Sequence, residues 1–219
     1  MKMFYIEHKT PYLYVDCETT GLKPGTDEVL SISVIDQTGK IAFNSLIRPE
    51  RRKKWVEAQN INHISPEMVR DAPTYRDVVP QLQRIFRGAH IVTYNLEFDY
   101  KFLHEAMCTA SSFHCCMKAY AKFQKEIDPY RGTYRWHKLT AAYDNLFHNT
   151  FNAHDSLADV QATLRVWNRI MHDYKVRTEF GYVSSLEAVL IWVRKATLVI
   201  LVLLVIIVFI WMQIKHSGY

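Results

Sequence analysis

At 219 residues the chain has room for one well-packed domain and an appendage, and too little length for two ordinary domains. An apolar fraction of 49% excludes general disorder, and a net charge of +5 is too small to mark a polyanion binder by itself. Arg194, Lys195 and Lys215 lie in the C-terminal stretch and no acid follows Glu187. Positions 1–187 therefore hold 24 basic against 22 acidic residues, and any polyanion contact must rest on local clusters.

Tyr12 to Cys17 is a short apolar run that carries Asp16, and Glu28 to Asp36 alternates well enough for a second strand. Gln37-Thr-Gly39 turns the chain into a third strand over Lys40 to Ile47, which makes a meander. Ser65-Pro66-Glu67 reads as a helix start, with proline at the first helical position. Thr74 to Phe86 follows as an amphipathic helix with Val78, Leu82, Ile85 and Phe86 on one side. Ala89 to Thr93 is a buried strand, and Leu96 to Met107 a helix with Phe98, Phe102 and Leu103 inward. From Cys115 onward the pattern is helical, clearest in Trp136 to Phe147 and Asp155 to Tyr174. The sum is an α/β domain with a mixed sheet and helices on both faces.

Cys17, Cys108, Cys115 and Cys116 give neither a disulfide framework nor a zinc spacing, because an adjacent pair bridges only with strain. Reduced thiols point to a cytosolic compartment. The residues Met1 to His8 lack the apolar core of a signal peptide.

Three short segments carry the chemistry: Asp16-Cys-Glu18-Thr-Thr-Gly21, Asn95-Leu-Glu97-Phe98-Asp99 and His154-Asp-Ser-Leu-Ala-Asp159. Four of these acids are hard oxygen ligands for a pair of Mg²⁺-type ions, and the histidine can take a proton from water near neutral pH. Asp16 and Glu18 are two apart on a strand, so both point to one face, where a divalent cation offsets their repulsion. Thr19-Thr20-Gly21 leaves the strand in a turn whose N–H and hydroxyl groups could hold a sugar or phosphate. Asn95 is placed to cap the helix that carries Asp99. His154 and Asp159 would lie about 140° apart on one helix, so His154 is expected in the loop before it.

In this order the segments resemble the DEDDh (DnaQ-like) exonuclease family, which includes the exonuclease domain of the DNA polymerase III ε subunit. The resemblance covers about Tyr12 to Tyr174, with secondary matches in Ile61-Asn-His63-Ile-Ser-Pro-Glu67-Met and Trp136-His-Lys-Leu-Thr. It implies an RNase H-like, five-stranded mixed sheet flanked by helices. It also implies hydrolysis of a nucleic acid from its 3′ end to nucleoside 5′-monophosphates, with two divalent metal ions, Mg²⁺ or Mn²⁺. Asp16, Glu18 and Asp159 would hold the first metal, with Asp16 bridging to the second. Asp99 would act through bound water, and His154 would be the general base. Leu22 would wedge against the terminal base with Phe98 beside it. Thr19, Thr20, Gly21, Asn95 and, more weakly carried, His63 complete the substrate contacts. DNA is the expected substrate; an exoribonuclease or a non-catalytic nucleic-acid binder are the alternatives.

Lys118 to Lys138 interleaves six cations with Tyr120, Phe123, Tyr130, Tyr134 and Trp136, the pairing that suits either a single strand or an aromatic core. Arg51-Arg-Lys-Lys54 is a denser cluster, read as solvated loop charge that could also touch phosphates or a membrane surface. The domain is expected over 1–174 and a linker over 175–183. The segment 184–219 would follow as a helix from about Ser185 to Ile214 and a short tail, opened by the capping box Ser184-Ser-Leu-Glu187. Within it Ala196 to Met212 has seventeen residues without formal charge, roughly 26 Å of helix and about a bilayer's hydrocarbon thickness. Trp192 and Trp211 bracket it as interfacial aromatics would. The expectation is a single-pass C-terminal membrane anchor in the lipid bilayer. Arg194 and Lys195 favour a catalytic domain on the cytosolic side.

Overall fold

Apolar strands, the second of them buried along almost its whole length, build the first layer of the domain. β1 (Tyr12–Thr19), β2 (Val29–Asp36) and β3 (Ile41–Leu46) form an antiparallel meander. Its second turn closes through Asp36, whose carboxylate accepts from the Thr38 and Lys40 N–H groups, and Gly39 takes φ 87°. β4 (His90–Thr93) joins β1 in parallel, and β5 (Ser112–Cys115) joins β4 in parallel. The five strands stand in the order β3-β2-β1-β4-β5, with β1 in the centre. The computed structural model describes residues 11–173 and Val193.

Helices cover both faces, as the strand–helix alternation requires. On one face α2 (Tyr75–Phe86) and α3 (Leu96–Met107) bury Leu82, Phe86, Phe102 and Leu103 against Leu13, Val15, Ile32, Val34 and Ile91 of the sheet. On the other, α6 (Ser156–Met171) lies along β1 and β2, with α4 (Cys116–Gln124) and α5 (Leu139–Phe147) packed against it. Thr74 and Asp77 close a reciprocal cap on α2, so that helix starts where the sequence places it.

Three elements differ from the sequence reading. Ser65-Pro66-Glu67 opens no helix: successive three-residue turns run there, with Met68 N–H on the Ser65 carbonyl and Ala72 N–H on the Val69 carbonyl. Burial of Ile64 and Val69 with Leu30 and Trp55 sets that path, and the Trp55 indole N–H donates to the Ile64 carbonyl at 2.7 Å. The helix lies upstream, as α1 (Val56–Asn62). The chain-order reading also passes over β5, and α5 begins at Leu139 rather than Trp136.

The chain divides into two units, Met1–Asp173 and Tyr174–Tyr219. The expected linker over 175–183 and the expected membrane span over 196–212 lie outside the described residues. Among the described residues, no helix is long and apolar enough to cross a membrane.

A buried polar contact fixes α6 to the sheet. The Ser156 hydroxyl lies 2.5 Å from that of Ser31 and 2.8 Å from that of Ser33, which donates to Asn44 Oδ1 at 3.0 Å. Ser156→Ala strips this contact from buried hydroxyls and should lower stability by about 1–3 kcal/mol. Urea unfolding checks it; an unchanged midpoint would show that the contact anchors nothing.

Candidate active site

The turn after β1 is held by a residue that the sequence reading passed over. Pairing of β1 with β2 shifts between Glu18 and Thr19, and the chain then wraps around Asp27. The buried Asp27 carboxylate accepts from Lys23 N–H at 2.9 Å, from the Arg52 guanidinium at 2.8 Å and from the Thr20 hydroxyl at 3.4 Å. Gly21 packs so close that a Cβ there would sit 2.5 Å from Asp27 Oδ2, so any larger residue would displace the Asp27 carboxylate from these partners. The Thr19 hydroxyl donates to the Gly21 carbonyl at 2.6 Å, and the Thr20 hydroxyl accepts from Glu28 N–H at 2.9 Å. Both hydroxyls, expected to hold a sugar or phosphate, are therefore committed inside the turn.

Asp99 arrives from the other side of the sheet. One turn into α3, it is buried beside Cys17, whose thiol donates to Asp99 Oδ1 at 3.5 Å. Asn95 stands at the N-cap position of α3 but makes no side-chain cap bond; its carbonyl accepts from Phe98 and Asp99 N–H instead. The third segment meets the spacing argument. His154 lies before α6 in a left-handed conformation, φ 67°. Asp155 caps that helix by accepting from Leu157 and Ala158 N–H. The His154 N–H in turn donates to Asp159 Oδ2 at 3.1 Å, folding the loop back over its own helix.

These elements converge on one cleft of about 930 Å³, whose lining includes Asp16, Glu18, Asp99, His154 and Asp159. Ligand atoms of Glu18, His154 and Asp159 lie within 4.8 Å of one another. Thr19, Thr20, Gly21, Leu22, Asn95 and Phe98 line the cleft too. Leu22 is 80% exposed and Phe98 half-buried, so both offer apolar surface at the rim. His63 is not part of this lining. It caps α1 at φ 59° and lines an adjoining groove with Asn44, Met68 and Asn152, which shares only Asn62 and His154 with the cleft. Asn62 is a residue that sequence reasoning missed: its amide donates to the Thr19 carbonyl at 3.2 Å and also supports Glu18. The basic run is corrected in part, since Arg52 pairs with Asp27, and the N–H groups of Glu50, Arg51 and Arg52 all donate to Glu28.

Burial dominates the electrostatics of the cleft. Burial, then Asp99, Asp159 and Glu18, push Asp16 well above the usual carboxylate range. Burial and Asp159 push Glu18 up to about 8, against the opposing Asn62 hydrogen bond. Burial lifts Asp99 to about 7 despite the Cys17 hydrogen bond, and lifts Asp159 to about 6 despite the His154 N–H. Among the described residues, Asp159 Oδ1 is buried with no hydrogen-bond partner. Hard oxygen donors, an orphaned carboxylate oxygen and mutual repulsion fit divalent cations.

An exonuclease family model (RNase_T: Exonuclease) matches residues 13–167, which span all three segments. The chain belongs to this DnaQ-like exonuclease family. It is therefore a nuclease hydrolase, from a family that uses divalent metal ions. An uncharacterized exonuclease of Escherichia phage 186 is 32% identical over 172 residues, covering 70% of this chain and 84% of the relative. The DNA polymerase III subunit epsilon of Treponema pallidum is 29% identical over 160 residues, covering 70% and 74%. Among solved structures, exonuclease X in complex with 5′ overhanging duplex DNA superposes with TM-score 0.53. Its identity is 25%, and the match covers 74% of this chain and 91% of that one.

Each raised carboxyl keeps a proton in the folded state that the unfolded chain has already released, so stability falls as pH rises toward the folded value. His114, pushed down to about 4 by burial and His90, acts in the opposite sense, but only below its unfolded value near 6.5. In chelator, Tm should therefore drop between about pH 7 and about pH 8.5, and Mg²⁺ or Mn²⁺ should restore it at the upper end. A flat metal-free profile would remove the shared-repulsion account.

Proposed function

We propose that the protein is a metal-dependent 3′–5′ exonuclease that hydrolyses DNA from its 3′ end to nucleoside 5′-monophosphates, and that residues 196–212 anchor it in a membrane. One observation carries the catalytic reading: Asp16, Glu18, Asp99, His154 and Asp159, from β1, α3 and the α6 entry, line a single cleft with Leu22 and Phe98 at its rim. The resemblance to a DNA polymerase III subunit and to an exonuclease bound to DNA supports DNA over RNA.

Asp16, Glu18 and Asp159 would hold one divalent ion, Mg²⁺ or Mn²⁺, and Asp16 with Asp99 the second. When bound, such a pair offsets charge at the scissile phosphate and at the attacking and leaving oxygens. His154, exposed in its loop beside Glu18 and Asp159, takes a proton from the attacking water at a ring nitrogen. The Asp155 cap and the His154 N–H bond to Asp159 hold the loop at the cleft mouth. Leu22 and Phe98 stack or wedge against the terminal base, and Asp27 keeps the Leu22 turn in place through Lys23 and Arg52.

His154→Ala should cut turnover roughly 10²–10⁴-fold while leaving metal affinity nearly intact, read by kcat and by metal titration. Asp16→Asn should abolish metal-dependent cleavage. End-labelled single-stranded DNA, duplex DNA and RNA, each with Mg²⁺ or Mn²⁺, separate the substrates. Preferential RNA digestion would move the reading to an exoribonuclease, and no digestion would leave a binding protein. A fully active His154→Ala would overturn the general-base role.

The anchor reading rests on the uncharged run Ala196 to Met212, its flanking Trp192 and Trp211, and the Arg194–Lys195 pair on the catalytic-domain side. The full chain should stay with membranes through alkaline extraction, and a chain ending at residue 183 should be released. Release of the full chain would sink the anchor.

A further inference from the structure

We propose that Trp136, with Lys118 and Arg131, forms a stacking platform for the single strand that leads out of the cleft; this rests on the exonuclease reading above. The sequence left the rings from Lys118 to Lys138 open between core and contact surface, and the fold divides them. Tyr120 is buried, whereas Trp136 is 47% and Tyr130 97% exposed. Two large rings held in water on one connection are an unfilled contact surface.

The connection is ordered. Asp128 N–H donates to the Thr133 carbonyl at 2.8 Å and Arg135 N–H to the Glu126 carbonyl at 2.8 Å, making a small hairpin with Tyr130 at its tip. Lys118 Nζ lies 5.8 Å and the Arg131 guanidinium carbon 5.5 Å from the Trp136 ring. Arg135 is spent on Glu126 at 2.6 Å, whereas the Arg131 contact with Asp128 is a long one at 3.9 Å. A flexible polyanion with stackable bases calls for this pairing of ring and cation, because cations take phosphates and any base has a face to stack.

The platform is joined to the cleft. The Tyr94 hydroxyl donates to the His137 carbonyl at 2.7 Å, next to Trp136, and Met117 N–H, next to Lys118, donates to the Tyr94 carbonyl at 2.9 Å. Tyr94 itself and Leu139, just beyond His137 in the sequence, both line the cleft. The cleft lining also includes Lys23, Arg52 and Lys54, but Arg52 is committed to Asp27, and the ring beside them, Trp55, is buried with its indole N–H on the Ile64 carbonyl. A strand seated with its 3′ end at the carboxylates, past Phe98 at the rim, therefore finds its next exposed rings with cations beside them on the α4–α5 connection.

The test measures binding in the full chain carrying Asp16→Asn, so that the probe stays intact. The probe is a fluorescent oligothymidylate of about twenty nucleotides, read by anisotropy. Adding Trp136→Ala should raise Kd roughly 5- to 100-fold, and Trp136→Phe should recover most of the loss. In the otherwise unaltered chain, Trp136→Ala should lower the ratio of kcat/KM on the long strand to that on a dinucleotide by a similar factor. An unchanged Kd overturns the platform. So does an equal loss on dinucleotide and long strand, since Trp136 would then shape the cleft itself. If the unaltered chain cuts no nucleic acid, the exonuclease reading fails, while the Kd comparison still decides the platform.

Discussion

Repulsion among carboxylates is the constraint around which this domain is organised. Asp16, Glu18, Asp99 and Asp159 are drawn into one cleft, where burial raises all four above their ordinary range and the charge of the other acids adds to it at Asp16 and Glu18. A fold does not keep such a cluster for stability, since buried like charges oppose it. The cost makes sense as stored affinity for cations. It also explains why the site is assembled from three rigid elements, for a loop would let the carboxylates drift apart.

Three of the four carboxylates have a support that aims them without neutralising them. Cys17 donates a weak thiol bond to Asp99, and burial keeps that thiol protonated. The His154 N–H takes one oxygen of Asp159 and leaves the other unpartnered. Asn62 supports Glu18 while tying α1 to the end of β1. The Arg52–Asp27 ion pair at the edge of the site is spent on the turn rather than on the acidic cluster. Had Arg52 reached Glu18 or Asp16, it would have occupied the place of the cations. The serine contact beneath α6 has the same logic at one remove, since it sets where Asp159 and His154 stand relative to β1.

Much of this was legible in the chain. The period-two spacing of Asp16 and Glu18 puts them on one face of any strand, and the angular argument for His154 and Asp159 demands the loop that the structure has. What stayed hidden is short or depends on distant partners. Ser112-Phe-His-Cys115 is a four-residue strand with no alternation, and becomes one only against β4. α1 is a seven-residue helix of mostly polar residues, held by Trp55 and Asn62 rather than by its own pattern. Proline after Ser65 suggested a helix, but Ile64 and Val69 are buried in separate turns instead. Asp27 follows Pro24-Gly25-Thr26 and looks like an ordinary turn acid; its role needs Gly21 and Arg52 beside it.

The sequence by itself determined the ligand types, their order, the strand that pairs the first two acids and the loop that frees the histidine. Those follow from local geometry and side-chain chemistry, which act within a few residues. The tertiary structure alone decided that Asp99 and Asp159, 60 positions apart and on opposite faces of the sheet, meet at the end of β1. It also decided that the threonine hydroxyls turn inward, that His63 looks into a neighbouring groove, and that Tyr120 is core while Trp136 is surface. Those outcomes depend on burial and on charges brought together across the sheet, and no window along the chain contains them.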